Sequence, residues 1–226
     1  MRGIFRVHRL TNMTVSLPPT LARGPEVSRS ARFGASTMAV VFALVVGGAT
    51  SFAQLLPGTF NWLFNSVAGW TIPMIALVWF ARVSVPRSAV TGALVFVAMT
   101  VGYSVVSTLR GYPDTPGLWA IIGLVVGPVL GAATALLRHS DKRLVAVAAG
   151  VIAGVVLGDG VRGLVSTPDG WGTWLVFLAA GLAFMAWVVV RRLSTVRFTA
   201  LFVGTIVVVE AAYVLLVDVI INSLFR

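Results

Sequence analysis

The sequence has no cysteine among its 226 residues. This absence excludes a disulfide framework, a thiolate nucleophile and a zinc–thiolate site. Histidine is nearly absent as well. His8 lies in the N-terminal region and His139 in a predicted loop, so a histidine-based metal site is not expected. We therefore predict a protein that holds no metal and no cofactor.

Charged residues are also scarce, at 11% of the chain, whereas a soluble domain has about 25%. Hydrophobic residues make up 58% of the sequence, and the mean hydropathy is +0.97. These values are typical of an integral membrane protein, so we expect the lipid bilayer to be its main surroundings.

The motifs of several enzyme classes are missing. There is no nucleophile elbow, no P-loop, no HExxH sequence and no dinucleotide fingerprint, so we do not expect an enzyme. The net charge of +10 does not indicate nucleic-acid binding, because the basic residues lie in short loops between apolar runs. In such loops they act as topology signals.

Residues 1–32 form a polar, basic segment with six arginines and a single acid, Glu26. Pro18 and Pro19 argue against a packed core there. We predict a disordered cytosolic tail over 1–32 and one transmembrane domain over 33–226. A transit peptide and an over-extended gene start remain alternatives, whereas the apolar run after Arg32 is too long for a signal peptide.

The apolar runs of the remaining chain predict an all-α, polytopic transmembrane bundle of about seven spans. The stretch from Phe33 to Ala81 has no charged residue and a turn signal at Pro57-Gly58, so it has room for two spans. The second could instead be a re-entrant segment with a short span, which would leave six. The predicted spans are 34–56, 62–81, 88–109, 118–137, 144–164, 171–190 and 199–223.

The positive charges are distributed unevenly over the predicted loops. If the tail is cytoplasmic, fourteen of the seventeen Lys and Arg residues fall on the cytoplasmic side. The positive-inside rule then predicts a multipass protein of the cell membrane with a cytoplasmic N-terminus and an extracytoplasmic C-terminus.

Glycines recur at every fourth position in the fourth and fifth predicted spans. Residues four apart share one helix face, and small residues let helices approach closely in lipid. We expect glycine-zipper packing, within the bundle rather than at a homodimer seam, although the oligomeric state stays open. The glycines are Gly123, Gly127, Gly131, Gly150, Gly154 and Gly158.

Four ionisable residues fall within or at the edge of predicted spans: Asp159, Arg162, Glu210 and Asp218. Charges in a membrane are costly and usually face a protein interior or water. We predict an outward-facing substrate or ion site in which Glu210 is the midplane carboxyl and the other three line the entrance. Alternatively, Asp159 and Arg162 mark a helix end, and Glu210 is either protonated or hydrogen-bonded to a neighbouring helix.

These features leave two functions open. One is a small transporter or transporter subunit with an outward-facing polar site. The other is a structural or accessory protein that contacts a membrane-protein partner through its helices. The substrate, the coupling ion and the partner are not predicted.

Several short segments resemble an uncharacterised family of multipass membrane proteins from high-GC bacteria, a domain of unknown function. They are FAQLLPG at 52–58, NSVAGW at 65–70, VGY at 101–103, LWAIIGLVVGPVLGA at 118–132 and VLGDG at 156–160. The resemblance implies a multipass membrane protein and no particular activity.

The first predicted span is also similar, more loosely, to that of the substrate-capture subunits of energy-coupling-factor transporters. Those subunits are bundles of about six helices whose first helix presents small residues to a partner. Here Ala39, Ala43 and Gly47 are four residues apart.

Overall fold

The structure is a computed structural model that describes residues 29–224. This part of the chain holds eight α-helices, a 3-10 turn at Pro168–Gly170 and no β-strand, which confirms the predicted all-α fold. The helices are α1 (Arg29–Ala53), α2 (Thr59–Phe64), α3 (Val67–Ala81), α4 (Val85–Leu109), α5 (Gly117–Leu136), α6 (Lys142–Ser166), α7 (Trp171–Arg191) and α8 (Val196–Leu224).

Six of the described helices are long and apolar enough to cross a membrane, which confirms the polytopic bundle. They are α1, α4, α5, α6, α7 and α8. With 15 residues, α3 is about 22 Å long at a rise of 1.5 Å per residue. It is therefore shorter than the hydrocarbon core of about 30 Å and cannot cross it alone.

The predicted second span, 62–81, is wrong as a continuous helix. The chain breaks at Asn65 and Ser66, between α2 and α3. The break arises because the Ser66 hydroxyl accepts the amide of Gly69 at 2.9 Å and so caps a new helix. The alternative with six full spans and a shorter second segment is closer to the structure.

The other predicted spans agree with the structure to within a few residues. The largest difference at a helix start is that α1 begins at Arg29, so residues 29–32 are helical instead of part of the predicted tail. The predicted disorder of residues 1–28 lies outside the described residues. The predicted turn at Pro57-Gly58 lies between α1 and α2, where Gly58 adopts a φ of 59° that favours glycine.

The helices pack as two groups, and the short helix α3 lies between them. In one group α4 lies between α1 and α5, and in the other α6 lies between α7 and α8. α3 contacts α1, α4, α5 and α6, and α5 also packs on α6. As a result α6 is the most buried of the six long helices, and it supplies more of the buried core residues than any other described helix.

The two ends of the bundle differ in charge. At one end Arg138 donates to the carbonyl of Trp79, and Arg192 donates to that of His139 at 3.3 Å. Most of the basic residues of the described part lie at this end, which we call the basic end. The opposite end carries Asp114 and Asp169 together with Arg110 and Arg162, so it lacks this positive excess, and we call it the acidic end. The positive-inside rule uses an asymmetry of this kind to predict which end of a bundle faces the cytoplasm.

Both glycine rows lie in helix contacts within the chain, but they contact different partners. The row on α5 packs on α4, where Gly131 lies against the backbone of Ser88. The row on α6 packs on α8. A Cβ added at Gly150 would lie 2.6 Å from Cβ of Thr205, and one at Gly158 would lie 2.9 Å from the ring of Tyr213. These rows let α5 and α6 each approach a neighbour closely.

We predict that Gly131→Ala destabilises the fold and that Gly204→Ala does not. The methyl group at 131 would meet the Ser88 backbone, whereas nothing lies within 4 Å of a Cβ at 204. Overpacking of this kind costs about 1–3 kcal/mol, while alanine is favoured over glycine in a helix by about 0.5–1 kcal/mol. Thermal unfolding in detergent, followed by size-exclusion chromatography, measures both. Equal melting temperatures for the two variants would contradict the close packing.

Candidate functional site

The N-terminus of α3 lies inside the protein and is held by a carboxylate from α6. Oδ2 of Asp159 accepts the backbone amide of Ala68 at 2.8 Å. The next amide, that of Gly69, donates to Ser66 Oγ at 2.9 Å. Two amides in the first turn of α3 therefore have side-chain acceptors. A helix that begins at membrane depth needs such partners, since lipid supplies none.

The second oxygen of the carboxylate is bound from the other side. The hydroxyl of Tyr213, on α8, donates to Oδ1 of Asp159 at 2.7 Å. Only 6% of Asp159 is exposed. The aspartate therefore connects three helices, α3, α6 and α8, at about 10 Å from the C-terminal end of α6, given the helical rise.

The structure brings three of the four predicted site residues to the contact between α6 and α8. Asp159 is buried there. Arg162 is half-buried and lies close enough to Tyr213 for an electrostatic interaction. Cγ of Glu210 lies 3.5 Å from a Cβ built on Gly158, so Glu210 is level with Asp159. Asp218 lies on α8, but its side chain falls outside the described part of the structure.

On the opposite side of the α3 N-terminus lies a pocket of about 190 Å³. It is enclosed by the end of α1, the first turn of α3, the second half of α4, the α4–α5 loop and the start of α5, and it lies toward the acidic end. Ser66 and Val67 line this pocket, while the next residue, Ala68, binds Asp159. The first turn of α3 thus separates the pocket from the α6–α8 contact.

Aromatic side chains form much of the pocket wall: Trp70, Phe96, Tyr103 and Trp119. Trp70 and Tyr103 meet edge to face, with their ring centroids 5.7 Å apart. Such pairs stabilise a defined geometry beyond the burial of area. Trp119 lies at the rim of the pocket and is 53% exposed.

Hydrogen bonds hold the aromatic wall in place. The Tyr103 hydroxyl donates to Oε1 of Gln54 at 2.6 Å. The Gln54 amide and the Trp70 indole both donate to the carbonyl of Phe64, at 3.2 and 2.9 Å. This network ties α1, α3 and α4 to the break between α2 and α3.

A single formal charge lines the pocket, according to the part of the chain that is described, and it is the carboxylate of Asp114. The hydroxyl of Ser104 donates to one of its oxygens. Asp114 itself is exposed, since it lies in the loop between α4 and α5. The pocket thus combines apolar ring surface with a negative group at its mouth.

Neither this pocket nor the role of Tyr213 was predicted from the ionisable residues of the sequence. A search for ionisable residues within spans overlooks tyrosines, amides and loop acids. The signal that was present is the set of short segments that carry the family resemblance. Gln54, Ser66, Tyr103, Trp119 and Asp159 come from five separate segments, and the fold gathers them around the first turn of α3.

Metal chemistry has no donor cluster in the described residues. Within 29–224, no group of three or more His, Asp or Glu side chains is placed to hold a metal ion.

Comparison with known proteins identifies a family that matches the chain. A family described as being of unknown function (DUF6518) matches residues 26–221, and this range includes nearly all of the helical part. No curated protein and no solved structure matches the chain. The match supports the resemblance to an uncharacterised family. The origin in high-GC bacteria and the likeness to energy-coupling-factor subunits stay predictions.

We predict that Tyr213→Phe lowers the stability of the protein. The change removes only the hydroxyl that donates to Asp159, and a hydrogen bond to a charged group contributes about 1.5–3 kcal/mol. Tyr112→Phe is the matched control, because Tyr112 is 62% exposed at the same end of the bundle. Thermal unfolding in detergent measures both. If both variants unfolded at the wild-type temperature, the contact to Asp159 would not support the fold.

Proposed function

Since the chain belongs to this family of unknown function, we propose a role for it from its own site: a small membrane transporter whose solute occupies the pocket beside α3. The observation that supports the proposal most is that the pocket lies against an interrupted helix. In many secondary transporters, substrate sites lie where membrane helices are broken. Here the break at Asn65 and Ser66 forms part of the pocket wall.

The charge asymmetry gives the proposed transporter its orientation. With the basic end in the cytoplasm, the pocket lies toward the extracytoplasmic side and a solute enters it from outside. The N-terminus is then cytoplasmic and the C-terminus extracytoplasmic. The protein lies in the cell membrane in this proposal.

The ionisable residues between α6 and α8 have a separate role in this proposal. Asp159 holds the α3 N-terminus in place, because both of its oxygens are engaged by the protein. Glu210 is half-buried on the neighbouring helix and is our candidate for binding a coupling cation or a proton. Arg162 and Asp218 stay candidates for the outer part of that path.

A second function is favoured by the packing of α8. The buried residues of this helix, in its described part, are Phe202, Ile206 and Tyr213, which face α6. Its other faces expose apolar side chains such as Val207 and Leu215. An accessory protein that binds a membrane partner would use a face of this kind.

Cysteine labelling separates the two functions, because the chain has no cysteine of its own. We predict that Thr100→Cys, in the pocket, reacts with an impermeant maleimide in right-side-out vesicles and also in inverted vesicles. A transport site must become accessible from each side in turn. Thr134→Cys is the matched control, since Thr134 is equally buried but lies outside the pocket wall. It should remain unlabelled.

Two loop positions fix the orientation in the same experiment. Asp169→Cys should react only in right-side-out vesicles and His139→Cys only in inverted ones, and the reverse would invert the proposed topology. Labelling of Thr100→Cys from the outside alone would restrict the protein to a solute-binding subunit. A cysteine at 100 that reacts from neither side would argue against a solute pocket and favour the accessory function.

Glu210→Gln tests the proposed coupling residue. The amide keeps the size of the side chain but neither binds a cation as a carboxylate does nor exchanges a proton. We expect the fold to survive and the transport cycle to stop, so Thr100→Cys should then react from one side only. Unchanged labelling from both sides in the double variant would remove Glu210 from the mechanism.

A further inference from the structure

We propose that the pocket binds the alkylammonium group of a small organic cation. This inference rests on the proposed function of the pocket as a solute site, and it assigns the chemical class of that solute. It draws on the ring surfaces, the direction of the hydrogen bonds and the distribution of charge in the pocket wall.

The ring surfaces favour a cation with apolar substituents. Trp70, Tyr103, Phe96 and Trp119 line one small space. The face of an aromatic ring is negative and attracts ammonium groups, and tryptophan does so best. Because the indole N–H of Trp70 and the hydroxyl of Tyr103 are bound within the protein, these residues offer the solute ring surface instead of donors.

Most hydrogen-bond donors in the pocket wall already donate to protein atoms, whereas acceptors remain available to a ligand. The hydroxyl groups of Thr100, Tyr103 and Ser104 all donate to protein atoms, namely the Val97 carbonyl, Gln54 Oε1 and an Asp114 oxygen. The Asp114 carboxylate has further lone pairs, since an ionised carboxylate accepts at about four positions. A solute that donates hydrogen bonds or carries positive charge complements this wall, and an anion does not.

The charges around the pocket also favour a positively charged solute. Asp114 contributes the formal negative charge of the wall. Arg110, a basic residue that follows α4 at the same end of the bundle, contacts the end of α1 instead. Its guanidinium donates to Oγ of Ser51 at 2.7 Å and lies 4.5 Å from the ring centroid of Phe52. Arg110 is not among the residues that line the pocket.

The helix N-terminus beside the pocket does not make it an anion site. Helix N-termini bind anions through free amides and a positive dipole end. At α3 those amides already donate to Asp159 and Ser66, so a carboxylate of the protein occupies the position that an anionic ligand would take.

The size of the pocket limits the solute. A volume of about 190 Å³ is below the range of roughly 300–1,000 Å³ typical of drug-sized ligands. It fits a group such as trimethylammonium with a short chain. The same group exists as a free solute and as the headgroup of a phospholipid, and the test below distinguishes these sources.

Choline and its uncharged isostere 3,3-dimethylbutan-1-ol are matched probes, since they differ in charge and hardly in shape. We expect radiolabelled choline to bind the purified full-length protein in dodecyl maltoside. The isostere should displace it at least about tenfold more weakly than unlabelled choline does, because the cation–π and carboxylate attractions are lost. This comparison uses the wild-type protein and depends on no variant.

Variants at the pocket mouth test the same assignment. Asp114→Asn should weaken choline binding about fivefold, and Trp119→Leu about threefold, as expected for partly exposed charge and ring contacts. Asp169→Asn and Trp171→Leu are the controls: both residues are exposed at the same end of the bundle and lie outside the pocket. The controls should bind choline as the wild type does.

The outcomes separate the inference from the proposed function. No choline binding, equal displacement by the isostere, or equal losses in variants and controls would overturn the cation assignment. The solute pocket itself would stand if Thr100→Cys were still labelled. If choline binds and added phosphatidylcholine or phosphatidylethanolamine displaces it, the cation is a lipid headgroup. If those lipids leave binding unchanged, it is a free solute.

Discussion

The fold depends on satisfying the backbone amides of a helix that starts inside the membrane protein. α3 begins at Val67 inside the protein, where its first amides have no partners unless the chain supplies them. Ser66 supplies an acceptor for the Gly69 amide from the same segment, and Asp159 supplies one for the Ala68 amide from α6. A carboxylate suits this position, because the N-terminus of a helix carries a partial positive charge. The buried carboxyl group of Asp159 is thus satisfied by the helix end that it caps, together with the hydroxyl of Tyr213.

The opposite end of α3 is held by complementary charge. Arg138 donates to the carbonyl of Trp79 in the last turn, and its guanidinium lies 4.0 Å from the centroid of the Trp79 ring. A cation is favourable at a helix C-terminus. Burial, with a smaller contribution from the charge of Arg82, lowers the pKa of Arg138. Because side chains from α6 and from the end of α5 fix its two ends, this short helix has a defined position between the two helix groups.

The sequence alone predicted what hydropathy and spacing determine, namely the long spans and the glycine rows on α5 and α6. It did not predict the break at Ser66, because hydropathy averages over about twenty residues and the N-cap of α3 is one hydroxyl in an apolar run. The contact between Asp159 and Tyr213 joins residues 54 positions apart, and nothing local indicates it. The pocket was missed for the same reason, since Gln54, Tyr103 and Asp114 come from three segments that meet only in the fold.

Ser66 and Val67 connect two polar regions of the protein, namely the pocket and the hydrogen bonds of Asp159. These residues line the pocket, and they belong to the turn that Asp159 holds. A wall built on a capped helix end loses little conformational freedom when a solute binds, because the order is already present in the free protein. The hydrogen bonds of Gln54 extend this order to the facing helix α4 through Tyr103. The carboxyl group of Asp159, which is costly to bury, therefore also orders the part of the pocket wall that belongs to the helix end it caps.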